Sequence, residues 1–124
     1  MLTSIPGIGP RVAQVLLTEM PELGQCDRKA IVSLAGLAPQ ISQSGHAPPR
    51  AVIAGGRPCI RAALYMSALV AVRHDPRMRL AYQALRNSGK PAKVALVAIA
   101  RRLLVTANAM IKAQTPYHPD THQP

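Results

Sequence analysis

The chain has no tryptophan and no phenylalanine, and three tyrosines are its whole aromatic complement. An interior of packed rings is therefore excluded, and the core must be built from Ala, Val, Leu, Ile and Met. Hydrophobic residues make up 48% of the 124 positions, enough for one domain of ordinary size. Ala and Leu are strong helix formers, so this composition leans towards helices. Cysteine is nearly as scarce. Cys26 and Cys59 match neither a disulfide framework nor a zinc pattern, and read as buried or incidental thiols in a reducing compartment. No signal peptide precedes the Pro6-Gly7 turn. The longest apolar run, 62–72, is about half of what a bilayer span needs. These absences predict a cytoplasmic protein without a membrane partner.

Acidic residues are few. Five Asp+Glu stand against fifteen Lys+Arg, for a net charge of +10 and a pI near 10.9. Asp27, Asp75 and Asp120 are scattered, which leaves no carboxylate cluster for a two-metal site. His118 and His122 have a metal-like spacing, but Pro119 and a polar context break the helix that spacing requires. No metal or other cofactor is expected in this chain. The charge is also segregated. Over residues 1–45, Arg11, Arg28 and Lys29 balance Glu19, Glu22 and Asp27, so residues 46–124 hold the entire +10. A field of that sign attracts polyanions and displaces counterions from phosphates, so nucleic acid is the natural partner. A plain basic, solvated surface is the competing explanation.

Periodicity and punctuation predict five helices. One begins at Pro10, carries Val12, Val15, Leu16 and Met20 at helical spacing, and stops at Pro21. A second is capped by Asp27, turns Ile31, Leu34 and Ala35 inward, and ends at Gly36. "CIRAALYMSALVAVRH" is a third, apolar nearly all round, as in a helix that is buried or at a subunit contact. The fourth runs from an Asp75 cap and Pro76 to Gly89. The fifth starts after Pro91 and lasts five to six turns, with Val94, Val97, Leu104 and Ile111 among its apolar positions. Residues 38–58 form a long irregular loop, with a possible short strand at 51–54. Residues 113–124 are Pro-rich and polar and are expected to be a disordered tail. The fold class is mostly α: a compact helical domain over 1–112.

Three features could carry chemistry. The first is "IPGIG", residues 5–9, followed by Arg11. It reads as the hairpin of a helix-hairpin-helix element over 1–24. Gly7 and Gly9 would let the backbone approach a phosphate, and the next helix would offer free N–H groups. Such a contact positions nucleic acid without reading its sequence. A plain turn over a buried Ile8 is the alternative, and only four residues precede Ile5 where the element needs a helix. The second is the basic set, in which Arg50, Arg57 and Arg61 flank the loop and a helix start, with Lys90 and Lys93 further on. Guanidinium groups suit bidentate phosphate contacts. Arg101-Arg102, mid-way along an apolar helix, are harder to dismiss as solvated side chains. The third is Ser44-Gly45 within "QISQSGHAPPR". On turn chemistry alone this dipeptide is a connection. It becomes a nucleophile only if a base removes the hydroxyl proton or the oxyanion is stabilised; His46 and Arg50 are the local candidates.

Taken in order, "LTSIPGIGPRVAQVLLTEMPELGQ", "LAGLAPQISQSG" and "GGRPCIRAALYMSALVAVRHDPRMRLAYQALRNSGKPAKVALVAIARRLL" resemble the C-terminal transposase domain of the insertion-sequence 110/116/902 transposases. The resemblance runs from about Leu2 to Ile111 and rests on the order and spacing of Gly36-Leu37-Ala38-Pro39, Ser44-Gly45, Arg61-Ala-Ala-Leu-Tyr-Met66 and Gly89-Lys90-Pro91. It implies a DNA recombinase in two parts. One is an RNase-H-like domain whose acidic tetrad binds a divalent metal such as Mg. The other carries a serine that attacks DNA phosphate and forms a phosphoserine link. It further implies an active site shared between protomers of a homo-oligomer, and a structured guide RNA. Carried over by motif, the serine is Ser44. The acidic domain lies outside these 124 residues, so strand cleavage by this chain alone is not expected. The competing expectation is a non-catalytic helix-hairpin-helix module that binds DNA or RNA.

Overall fold

Helix boundaries fall where capping chemistry demands them. In the computed structural model, which describes residues 2–37 and 57–114, helix α1 spans Pro10–Glu19 with Pro10 in its first turn. It gives way at Met20 because a residue before proline is driven out of the helical region. Helix α2, Arg28–Leu34, is capped by Asp27, whose carboxylate accepts from the Ala30 N–H at 2.8 Å. Helix α3 spans Pro58–His74 and helix α4 spans Pro76–Asn87. The single residue between them, Asp75, is extended and caps α4 by accepting from the Met78 N–H at 3.0 Å. Helix α5 covers Ala92–Ala113. Its 22 residues extend roughly 33 Å.

α3 and α5 pack along each other at the centre. α1 lies against α3, α2 lies against α5, and α4 fills the angle between the central two. Ile60, Leu64, Ala68 and Ala71 from α3 meet Ile99, Leu103, Leu104, Ala107 and Met110 from α5, and all are buried. Small residues such as Ala68, Ala71, Ala100 and Ala107 let these backbones approach closely, which compensates for a core without large rings. Among the described residues there are five α-helices and no strand, so the mostly α class is borne out. The long loop, the strand expected at 51–54 and the tail lie outside the described residues, except for Arg57-Pro58 and the end of α5 with Gln114.

Not every apolar position of α5 faces the core: Leu104 is fully buried, Val97 and Ile111 are half-buried, and Val94 is 50% exposed. The buried stripe runs through Leu96, Ile99, Leu103, Leu104, Ala107 and Met110. This helix is apolar on almost every side, so periodicity does not set its phase, and the neighbours α2, α3 and α4 do. α5 is also long and apolar enough to cross a bilayer by length and composition, but over half of that stretch is buried as protein core. α3 is likewise buried on one face only, leaving Met66, Leu69 and Val70 exposed on the other. Cys26 is half-buried and Cys59 is exposed, so Cys59 is not a core thiol.

One buried polar side chain joins distant segments. Asn108 on α5 accepts from the Gly24 N–H at 2.6 Å through Oδ1 and donates from Nδ2 to the Cys26 carbonyl at 3.1 Å. A carboxamide carries both a donor and an acceptor, so one residue satisfies both backbone groups of the turn between α1 and α2.

Candidate nucleic-acid interface

The "IPGIG" turn is held from inside. A short 3-10 turn, Leu2–Ser4, leads into it, and Ile5 and Ile8 are both buried in the core. Gly7 has φ +85°, a left-handed conformation, and a Cβ built on it would lie 2.3 Å from the Ser67 carbonyl oxygen of α3. Gly7 therefore exists to let this turn press on α3. Gly9 has open space around it and is the N-cap of α1, where no side chain caps the first-turn N–H groups. Arg11 beside it is exposed. The two glycines, expected to share one role, thus face opposite ways, and the outward face is Gly9 and Arg11. Where a helix-hairpin-helix element needs a helix before the hairpin, the described residues have only the 3-10 turn.

Arginine hydrogen bonds involve both Leu37 and Arg57. Arg101, mid-way along α5, donates from Nε to the Leu37 carbonyl at 3.1 Å. Arg57 donates to both carboxylate oxygens of Glu22, at 2.7 and 2.6 Å, and to the Glu19 carbonyl at 2.9 Å. These hydrogen bonds hold the Glu22 carboxyl down at about 2, from an ordinary 4.5. The same pairing raises the Arg57 pKa. Arg57, one of the arginines expected at a phosphate, is thus bound within the chain to the end of α1.

Leu37 and Pro58 both border a groove of about 410 Å³. Arg61 and Tyr65, one turn apart on α3, form one wall, and Lys93 and Val97 of α5 form the other. Arg61 is half-buried and Lys93 is exposed, and no carboxylate lines the groove. Two of the expected phosphate-binding residues, from separate helices, are therefore brought to one place. Tyr65 also lines this groove and was not among the expected site residues, although its i, i+4 relation to Arg61 on a helix was available as a signal.

A second groove of about 610 Å³ lies among α2, α4 and α5, with Arg28, Arg101 and Arg102 around an apolar floor. The remaining basic residues are partly used locally. Arg79 donates to the Arg73 carbonyl at 2.6 Å, closing the end of α3, and Arg86 donates to the Lys90 carbonyl at 3.1 Å. Lys90 itself is exposed, apart from the Arg61–Lys93 groove lining. Ser44, His46 and Arg50 lie outside the described residues. Among the described residues, no three of His, Cys, Asp and Glu come together to hold a metal ion.

Comparison with known proteins gives a consistent set. The family model described as Transposase IS116/IS110/IS902 family matches residues 1–83. An insertion element IS110 protein of 43.6 kDa from Streptomyces coelicolor is 35% identical over 94% of this chain and 29% of its own length. An insertion element IS900 protein of 42 kDa from Mycobacterium paratuberculosis is 35% identical over 98% of this chain and 31% of its own. A pilin gene-inverting protein from Moraxella bovis is 31% identical over 99% of this chain and 39% of its own. The chain thus spans about a third of the length of these curated relatives. No solved structure matches it significantly.

Proposed function

The chain belongs to the IS116/IS110/IS902 transposase family, and from that premise we propose that it is the DNA-binding, serine-bearing part of a recombinase that cuts and rejoins DNA strands. The observation that supports this reading is a groove lined by Arg61 and Lys93, whose lining also includes Leu37 and Pro58, described residues on either side of Ser44 in the sequence. A phosphodiester lying at that groove would meet two cations from different helices.

In this reading the Ser44 hydroxyl loses its proton to a base and its oxygen attacks phosphorus. The new P–Oγ bond replaces one P–O bond of the DNA backbone, and the departing deoxyribose oxygen takes up a proton. Arg61 and Lys93 offset the charge that builds on the phosphate, where pre-positioned cations act most strongly. Gly9, Arg11, Arg50 and Lys90 extend the contact along the backbone, and Gly7 shapes the turn that presents Gly9. Among the described residues no three of His, Cys, Asp and Glu come together to hold a metal ion. A metal such as Mg belongs, in this proposal, to a separate acidic nuclease domain that neutralises phosphate charge when loaded. The exposed Leu69 and Val70 support a contact between copies of the chain, and a structured RNA and a cytoplasmic setting complete the proposal.

The test is Ser44→Ala in a recombination-competent, full-length protein carrying this chain. The expected result is loss of both recombination and the SDS-resistant protein–DNA adduct, with DNA binding retained. Recombination that survives the substitution overturns the nucleophile, and a protein that binds DNA yet never forms an adduct is a binding module.

A further inference from the structure

The groove between α3 and α5 has more in it than a phosphate needs. A phosphate contact alone calls for cations on a polar surface. Here the two cations border an apolar trough with a single aromatic ring set into its wall. Tyr65 is half-buried: its ring packs on the core from one side and lines the groove on the other. Arg61 lies one helical turn before it, and Met66, 58% exposed, lies next to it. A ligand fitting these walls has a flat, weakly polar body and an anionic link at its edge. That is the chemistry of one unpaired nucleotide, and the groove volume is within the range of small-ligand sites.

We propose that this groove takes a single unstacked deoxynucleotide, its base against Tyr65 and its phosphate between Arg61 and Lys93. The inference rests on the DNA partner proposed above but not on Ser44 as nucleophile. Stacking on an aromatic ring is tolerant of sequence because every base has a π-face, and it favours single-stranded or opened DNA over an intact duplex. The trough also explains why two residues of the motif Arg61-Ala-Ala-Leu-Tyr-Met66, the arginine and the tyrosine, stand four apart: that spacing puts guanidinium and ring on one helix face. An acidic peptide would be held by the same two cations but has no use for the ring.

The experiment is photocrosslinking of the intact chain to a single-stranded DNA containing 5-iododeoxyuridine, with the adduct mapped by mass spectrometry. Binding of the same oligonucleotide is followed in parallel by fluorescence anisotropy. The expected adduct is at Tyr65. Tyr65→Ala should lower affinity for this strand by about tenfold, the order of one lost stacking contact, whereas Tyr65→Phe should retain it. Arg61→Gln or Lys93→Gln should weaken both binding and adduct yield. Matched RNA and matched duplex DNA should give less Tyr65 adduct. Adducts confined to other residues, equal adduct yield from RNA or duplex, or unchanged affinity in Tyr65→Ala would each overturn the proposal. Failure of the serine chemistry leaves this crosslink intact, and an absence of DNA binding in the anisotropy arm overturns the DNA reading together with this one.

Discussion

Gly7 and Gly9 belong to one short motif, and the structure predicts opposite outcomes when each becomes alanine. Gly7 has φ +85°, and its added Cβ would lie 2.3 Å from the Ser67 carbonyl and 3.1 Å from the Ala71 Cβ. The left-handed backbone alone costs an alanine roughly 1–3 kcal/mol. The clash is with main chain rather than with a flexible side-chain tip, so the turn must lift off α3, and overpacking of that kind adds roughly 1–3 kcal/mol. The expected loss for Gly7→Ala is therefore about 3 kcal/mol, a large part of the stability of a domain this size. In thermal unfolding this lowers Tm by roughly 10–25 °C. Gly9 has φ −88°, with nothing within 4 Å of an added Cβ. Gly9→Ala should cost less than about 1 kcal/mol, the difference between glycine and alanine at an N-cap. Urea unfolding followed by circular dichroism at 222 nm measures both. If Gly7→Ala lies within 1 kcal/mol of the parent, or if the two variants are equally damaged, the packing argument for this turn is wrong.

Other outcomes follow from the anchors. The Glu22 carboxyl is held near 2 by its hydrogen bonds to Arg57, against an ordinary 4.5. A depressed carboxyl stabilises the folded state fully above its ordinary value and loses that contribution as pH falls towards the folded one. The stability advantage of the parent over Glu22→Gln should therefore be flat above about pH 5 and shrink steadily between about pH 4.5 and pH 2; an advantage that holds constant through that window contradicts the pairing. Asn108→Ala strips partners from the Gly24 N–H and the Cys26 carbonyl and should cost about 1–3 kcal/mol. Hydrogen exchange at the Gly24 amide should speed up in that variant before exchange in α3 does, and unchanged exchange there would remove Asn108 as the tie between the α1–α2 turn and α5.

Much of the scaffold was legible before any coordinates because its signals are local. Asp27 and Asp75 accept from the N–H groups three residues on, Pro10 and Pro76 open helices, and Gly36 and Gly89 close them with φ +75° and +102°. Each such signal acts within about one turn of chain, so sequence alone locates it. The mostly α class follows from the same source, aided by a composition rich in Ala and Leu and without large aromatic rings. The order and spacing of the longer motifs also pointed to the transposase family, which the comparisons show.

What sequence could not determine is long-range and directional. Nothing local indicates that Arg57 turns back to Glu22, 35 residues earlier, or that Arg101 reaches Leu37, 64 residues earlier. An isolated arginine reads as a surface cation until a carboxylate or a carbonyl arrives beside it by folding. The phase of α5 belongs to the same class: an almost uniformly apolar helix has no face of its own, so Val94 is exposed and Leu103 buried only because α2, α3 and α4 pack where they do. Gly7 and Gly9 are indistinguishable as letters, and only α3 separates them by crowding one and leaving the other open. Sequence by itself determined the helices, their ends and the excess of positive charge, because those depend on neighbours in the chain. Tertiary structure alone decided which cations are already paired and which line a groove, because those depend on neighbours in space.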